Sequence, residues 1–514
     1  MSIIQFIVKN STHVVIGIIV GAISVVVMSV GKFYLERKKY PPGPLPLPFL
    51  GNFKFFLNKK RHFFLQVTDL EKEYGKIFTI YSGKMPQVVI LDPKIGMEAL
   101  KKHTFAGRAD FSKMTQIFYD EPDNSTDVLL SDFTPEWEVL RKVTHSALKK
   151  YAVSEKAPIV VSQVCDEVIQ EIERKEGSNP FDIKHYISQI ILSILSSSTY
   201  GQTYHFDDKE LEDYIQVLET QNKNINQFIM FMFMPFMRHI LRKSFNQLKE
   251  NFASVRRFSK NKFNQHVESF DRNNIRDITD SLILAKMEAE EEDKDAAKYL
   301  YPQNIMNSMN LVFGGGSEAT RNTMNWAFLF MANHLEIQQK IRDEIENVIG
   351  LQEIPTLKHK AECHYTSAFI AEVLRFRPSN PMGAAHKTTV DSQVGKFVIP
   401  KDTIVTFGLY SYMHDKEIWG DPSHFRPERF LDSEGKFISH PNSFYVPFSA
   451  GRRSCPGDKF VLIVMFCLLS RFIQKTHGKT IRLENGPGSV DLMGDPKVAF
   501  TWVPCEFKIK LSTD

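Results

Sequence analysis

One cysteine constrains this chain more than any other residue. Cys455 lies in Phe448-Ser449-Ala450-Gly451-Arg452-Arg453-Ser454-Cys455-Pro456-Gly457, between two glycines, behind a pair of arginines and ahead of an apolar run from Phe460 to Leu469. Pro456 and Gly457 permit a sharp turn that brings backbone amides up to the sulfur. Such amides, with Arg452 and Arg453 nearby, favour the thiolate over the thiol. A thiolate opening onto an apolar helix suits a soft or borderline metal. A buried structural cysteine is the competing reading, because free cysteine is among the most buried residue types.

The stretch fits Phe-x-x-Gly-x-Arg-x-Cys-x-Gly at every specified position. It resembles the haem-ligand loop of the cytochromes P450, and the resemblance runs on through nearly all of the chain in the same order. It implies a mainly α fold with small β-sheets, a helix-rich lobe and a smaller β-rich lobe, behind one N-terminal transmembrane helix. It also implies haem b, with the Cys455 thiolate as axial ligand pushing electron density onto the iron.

At 514 residues the length alone allows about three domains. No Gly/Ser linker, repeat or low-complexity tract divides the chain after its first fifty residues, so the expected organisation is an anchor (1–34), a basic, proline-rich hinge (35–50) and one catalytic domain (51–514). A net charge of +4 sets up no field for nucleic acid. The five cysteines, Cys165, Cys363, Cys455, Cys467 and Cys505, have no paired spacing, which argues against a disulfide framework and for a reducing compartment.

Val14 to Val30 is apolar apart from Ser24 and Ser29, and with its flanks reaches about twenty residues, enough to cross a bilayer. Lys32, Arg37, Lys38 and Lys39 follow it and only Lys9 precedes it, so the C-terminal side faces the cytosol. A cleaved signal peptide is disfavoured by the weak basic n-region and the lack of an Ala-x-Ala-like site. Pro41-Pro42-Gly43-Pro44-Leu45-Pro46-Leu47-Pro48 cannot be helical and reads as a stiff spacer. In this topology the glycosylation patterns at Asn10 and Asn124 carry no function. Ile77–Tyr81 and Gln87–Leu91 read as two strands, with Gly83 and Pro86 at the turn.

Pro135 opens a helix on which Trp137 and Arg141, four apart, share a face. An indole N–H and a guanidinium are both donors, and the guanidinium binds carboxylates bidentately. The resemblance implies that Trp137 and Arg141 hold a haem propionate, with Arg108 of the Phe105–Phe111 loop, His386 of Pro381–His386, and Arg453. Lys142, Lys149 and Lys150, joined by Arg452 and Lys459, form a basic face suited to an acidic redox partner.

Pro302 starts a helical pattern interrupted by Gly314-Gly315-Gly316-Ser317-Glu318-Ala319-Thr320. Each glycine costs a helix interior about 1 kcal/mol, so three in a row require a helix end or a close approach. A phosphate loop is excluded because no Lys-Ser/Thr pair closes the run. The resemblance puts the groove for dioxygen here and makes Glu318 and Thr320 the catalytic candidates. One departure stands out: Ala319 occupies the place of the usual threonine, and the hydroxyl follows at Thr320.

Glu372 and Arg375, three apart within an apolar segment, read as a buried ion pair, with Arg429 of Pro427-Glu428-Arg429-Phe430 as the third member that the resemblance implies. Phe228 to Met237 has two readings, a core helix or a loop dipping into the membrane near the substrate entrance. Glu288 to Lys298 reads as solvated. Pocket walls are expected from about residues 105–130, 205–240, 380–386 and 491–500.

These residues together imply a haem-thiolate monooxygenase anchored in the endoplasmic reticulum membrane by a single pass, with its catalytic domain in the cytosol. It would act on a lipophilic substrate, with electrons from NADPH–cytochrome P450 reductase and cytochrome b5 as a further candidate donor. The alternative is a haem-thiolate isomerase or dehydratase acting on a hydroperoxide without a reductase. A non-enzymatic haem sensor would leave Glu318 and the glycine groove idle.

Overall fold

The uninterrupted apolar run near the N-terminus forms α1 (Ile3–Arg37). In the computed structural model its span Ile16–Arg37 has a mean hydropathy of 2.2 and is unburied. At about 1.5 Å per residue it is about 33 Å long, a match for the roughly 30 Å hydrocarbon core of a bilayer. The structure describes residues 3–108, 116–118, 126–498 and 500–513; the expectations for residues 109–111 and for Asn124-Ser125 lie outside them. The helix runs past residue 34 to Arg37, and the spacer after it is packed rather than free. Arg37 donates to the Gly43 carbonyl, the Tyr34 hydroxyl to Pro46 O (3.0 Å), and Phe33 meets Tyr81 edge-on at 5.3 Å. The prolines have no N–H groups to satisfy, so this segment can lie along the body of the protein mainly by accepting hydrogen bonds, with Leu47 N donating to Gly51 O at 3.0 Å.

The two anticipated strands are β1 (Ile77–Ser82) and β2 (Met85–Ile90), an antiparallel pair in register Ile77↔Ile90. The helical body includes α2 (Pro135–Ala152), α3 (Lys156–Lys175), α4 (Ile183–Tyr200), α5 (Ile225–Phe233), α6 (Arg242–Glu268), α7 (Pro302–Asn310), α8 (Gly316–Asn333) and α9 (His364–Phe376). The chain then forms β3 (His386–Lys387), β4 (Ser392–Val394), β5 (Phe397–Ile399) and β6 (Ile404–Phe407), followed by α10 (Asp458–Lys475), β7 (Thr480–Leu483) and β8 (Ile509–Ser512). The main sheet has the order β1-β2-β6-β3, parallel only between β2 and β6. β4 with β5 and β7 with β8 form two-stranded sheets.

Two buried apolar clusters correspond to two lobes. The larger unites α3, α4, α8, α9 and α10; α4 and α10 are buried on nearly every side. The smaller surrounds the main sheet, through Val88, Ile90, Val405, Phe407, Phe430 and Tyr445. The mainly α, two-lobed expectation therefore holds. Phe228–Met237 divides between its two readings. Phe228 and Phe231 of α5 join an aromatic cluster with Phe118, Phe245 and Phe252, in which Phe118 stacks on Phe252 at 5.0 Å. Beyond the turn at Pro235, Phe236 and Ile240 are 51% and 67% exposed.

Because Phe33 and Tyr34 fasten α1 to the body, two truncations should differ. A chain lacking residues 1–30 should sediment less with membranes yet keep its unfolding free energy. One lacking residues 1–36 should lose about 1–2 kcal/mol, the worth of one aromatic contact and one hydrogen bond. Equal stability of the two, by denaturant unfolding, would contradict the fastening.

Candidate active site

The Cys455 loop is held from both sides. Its N–H donates to Phe448 O at 2.9 Å, closing the turn on itself. Gly451 has φ +74°, and a Cβ there would come within 1.9 Å of Leu100 O, so the loop's approach to the β-rich lobe requires glycine. Behind the loop, α10 begins at Asp458. Burial pushes the Cys455 thiol up, the Gly457 N–H and Arg141 act in the opposite direction, and Asp458 adds to the rise. The expectation that Arg452 and Arg453 support the thiolate is corrected. Arg452 is exposed and turns to Glu138 (3.1 Å) and His103, while Arg453 donates away from the sulfur to Ala106 O (2.7 Å) and Ser131 O (3.0 Å). A bound metal would itself hold the sulfur ionised.

Arg453 belongs to a nest of three guanidinium groups. Arg108 is buried and donates to Leu129 O (3.3 Å), Ala384 O and Ala385 O (both 2.9 Å). Arg141 reaches the Ser454 carbonyl. Among the described residues none of the three has a carboxylate in ion-pair contact, and Arg453 Nη1 is buried without a partner. Burial, then the neighbouring Arg141, brings Arg108 down to about 10, and burial, then Arg108, brings Arg453 down to about 8. Pairing of β3 with β6 brings His386 alongside. Its Nδ1 meets Phe105 O at 2.7 Å and so carries the proton, while burial and Arg108 push its pKa well below the ordinary value.

Trp137 enters the nest differently from expectation. Its helix is capped by Thr134, whose Oγ1 accepts from the Trp137 N–H at 3.1 Å. The indole Nε1–H is committed to Val128 O at 3.0 Å. The ring face carries Arg453, with the guanidinium carbon 3.6 Å from the ring centroid, so Trp137 serves as a platform for the arginine.

Across the helical lobe, the glycine run lies where the helix pattern changes. Leu311–Gly315 forms a π-helical turn between α7 and α8. Glu318 Oε2 receives Arg321 Nη2 at 2.6 Å and its Oε1 receives Asn322 Nδ2 at 3.0 Å. The Thr320 hydroxyl is buried and donates back to Gly316 O at 2.7 Å. Sequence reasoning missed both the π turn and Arg321; the spacing of Arg321 from Glu318, three residues on one helix face, was the available signal. The structural pair is as anticipated. Arg375 and Glu372 are fully buried at 2.6 Å, Arg426 N donates to Glu372 Oε1 at 3.0 Å, and Arg429 Nε lies 3.5 Å from the same oxygen. The Tyr445 hydroxyl donates to Ala371 O at 3.1 Å, tying the approach to the Cys455 loop onto α9.

The cytochrome P450 family model matches residues 41–504, from the proline segment to just short of β8. The chain is a cytochrome P450. Cytochrome P450 1A1 of Platichthys flesus is 29% identical over 453 residues, 85% of this chain and 84% of that protein. Cytochrome P450 2E1 of Mesocricetus auratus is 28% identical over 505 residues, 96% and 98% of the two chains. Steroid 17-alpha-hydroxylase/17,20 lyase of Rana dybowskii is 27% identical over 478 residues, 92% and 90%.

Membership in this monooxygenase family implies a haem-thiolate cofactor, and the residues present fit it. The group has a soft-ligand demand that one half-buried cysteine meets, and it carries two carboxylates, the charge that an unpaired guanidinium nest lacks. Replacing a cation of that nest, as in Arg453→Leu, should weaken haem retention in this P450 by about 10- to 100-fold, the usual effect of losing a supporting interaction around a metal site. Transfer of haem to an excess of apomyoglobin measures it. Unchanged transfer would remove Arg453 from the cofactor site.

Proposed function

We propose that this P450 inserts one atom of dioxygen into a lipophilic substrate of the steroid, fatty-acid or xenobiotic class, using electrons from NADPH through a flavoprotein reductase. The observation that carries the reading is the arginine nest, without a carboxylate in ion-pair contact among the described residues, beside the half-buried Cys455. When bound, haem supplies the activation of dioxygen, and the protein supplies ligand, pocket and proton handling. In this account Cys455 would hold the iron through its sulfur, and Arg108, Arg141 and Arg453, the last against the Trp137 ring, would hold the carboxylates; His386, whose Nδ1 proton goes to Phe105 O, would join them only on gaining a second proton at Nε2. The relative named as a steroid 17-alpha-hydroxylase/17,20 lyase supports a substrate of apolar character.

The catalytic domain, residues 51–514, acts on the cytosolic face of the endoplasmic reticulum, held by α1 and resting on the exposed apolar end at Phe236 and Ile240. Lys142, Lys149, Lys150 and Lys459 are exposed, the first three on α2, whose Arg141 reaches the Cys455 loop, and the last at the start of α10. They offer a reductase, or cytochrome b5, a basic docking face whose contribution fades with salt. Arg452 contributes less, since it is already paired with Glu138.

Proton handling falls to Glu318, whose side chain is 25% exposed and can exchange protons with water. Arg321 and Asn322 hold the carboxylate oxygens, orienting the group. Ala319 provides no hydroxyl, and the Thr320 hydroxyl proton is committed to Gly316 O, although its oxygen can still accept. Restoring a hydroxyl by Ala319→Thr should therefore raise product formed per NADPH and lower hydrogen peroxide release. A change of about fivefold in that partition corresponds to one hydrogen bond of about 1 kcal/mol. The same observation keeps the hydroperoxide isomerase reading in view. Conversion of a hydroperoxide without NADPH, together with coupling indifferent to Ala319→Thr, would replace the monooxygenase reading.

A further inference from the structure

Outside the cofactor site, one enclosed charge has no evident use. Arg377 follows the last turn of α9, is 5% exposed, and among the described residues has no carboxylate in ion-pair contact. Its partners are carbonyls and ring faces. Nε and Nη2 both donate to Leu492 O, at 2.9 and 2.6 Å, and Nη1 donates to Phe376 O at 2.8 Å. The guanidinium carbon lies 4.1 Å from the ring centroid of Phe376, 4.3 Å from that of Trp502 and 5.3 Å from that of Trp326. Burial draws its pKa down to about 9. A desolvated cation without a counter-ion is costly, so its retention calls for a task that a smaller or neutral side chain performs less well. A planar fork can grip one carbonyl with two N–H groups while both faces lie against aromatic rings; an ammonium cannot.

That grip joins two stretches of chain distant in sequence. On one side, Arg377 leads directly into 379–386, the stretch ending at His386, and the Trp502 N–H donates to Ser379 O at 3.0 Å. On the other lies the turn from Asp491. Its Leu492 carbonyl is held by Arg377, and its Met493 carbonyl accepts from Trp502 Nε1 (2.7 Å) and from His62 Nε2 (2.8 Å). Gly494, at φ +79°, has no room for a side chain, since a Cβ would meet Val503 O at 2.3 Å. The far limb of this turn reaches α5, where Asn226 Nδ2 donates to Lys497 O at 3.0 Å. Displacement of Leu492 thus moves one stretch against the other.

We propose that Arg377 is a positioning residue for substrate selectivity, fixing 491–500 against 379–386 through the Leu492 carbonyl and the faces of Phe376 and Trp502. The proposal rests on the reading of these two stretches as walls of the substrate pocket. It predicts that the shape of the fork matters, not the charge alone.

The test uses the full-length, haem-loaded protein with Arg377→Lys, which keeps the charge without the fork, and Arg377→Gln, which keeps one donor without the charge. Imidazole and phenylimidazole serve as spectral probes, the first reporting access to the iron and the second the walls around it. Amide exchange of 491–503 is followed by mass spectrometry. Both variants should load haem and bind imidazole as the wild type does. The ratio of the two dissociation constants should shift by about tenfold or more, the scale on which small misplacements act, and 491–503 should exchange faster. Rescue of both readouts by Arg377→Lys would overturn the proposal, because charge alone would then suffice. So would an unchanged ratio with unchanged exchange, or failure of both variants to fold and load haem, which would make Arg377 a requirement of the fold. Faster exchange with an unchanged ratio would overturn it differently, by removing 491–500 from the pocket wall while leaving the clamp intact.

Discussion

Three guanidinium groups gathered in a largely buried space, received among the described residues by carbonyl oxygens, repel one another, and the architecture around Cys455 is arranged to tolerate that repulsion. Desolvating each ion costs several kcal/mol, and the carbonyls of Leu129, Ala384, Ala385, Ala106, Ser131 and Ser454 return only part of it. The arginines come from separate parts of the chain: Arg108 from the strand-flanking loop, Arg141 from α2, and Arg453 from the Cys455 loop. Each element therefore meets the others at a site of unfavourable electrostatics. An anionic ligand converts the repulsion into attraction, which couples folding of this region to cofactor capture by mass action.

The buried charges of α9 make the contrast plain. Glu372 and Arg375 are as deeply enclosed as any arginine of the nest, yet they neutralise each other through both carboxylate oxygens, with the Arg426 N–H donating to Oε1 and Arg429 Nε 3.5 Å from it. Removing one partner of such a pair costs about 3–5 kcal/mol. A balanced buried cluster of this kind supports structure, whereas an unbalanced one points to a missing ligand. Arg377 is a third case, unbalanced but enclosed by ring faces and the carbonyls of Leu492 and Phe376, and its contribution is geometric.

Much of this was legible in the sequence because it depends on local pattern. The apolar run of α1, the β1–β2 pair around Gly83, the Glu372–Arg375 spacing and the cysteine loop all follow from neighbours within a few residues. Phe228–Met237 carried both a packed face and an exposed end, and its composition alone could not divide them. Side-chain direction was not legible. Arg453 precedes the cysteine by two residues yet points to Ala106 and Ser131, contacts more than three hundred residues away in sequence. Trp137 shares a helix face with Arg141, but its N–H goes to Val128, in a loop whose course depends on tertiary packing. The π turn at Leu311–Gly315, which takes in two of the three glycines, is a local change of backbone pitch that a hydrophobic pattern does not encode.

The central claim is that Cys455 is the sulfur ligand in a site whose other face is the arginine nest. Burial raises its thiol in the protein alone, against the Gly457 N–H and Arg141, and a bound iron would favour the thiolate. The most direct measurement is the carbon-monoxide difference spectrum of the reduced protein, compared between the wild type and Cys455→Ser. The account predicts a thiolate-ligated spectrum for the wild type and its loss in the variant; a variant retaining the wild-type spectrum would contradict it.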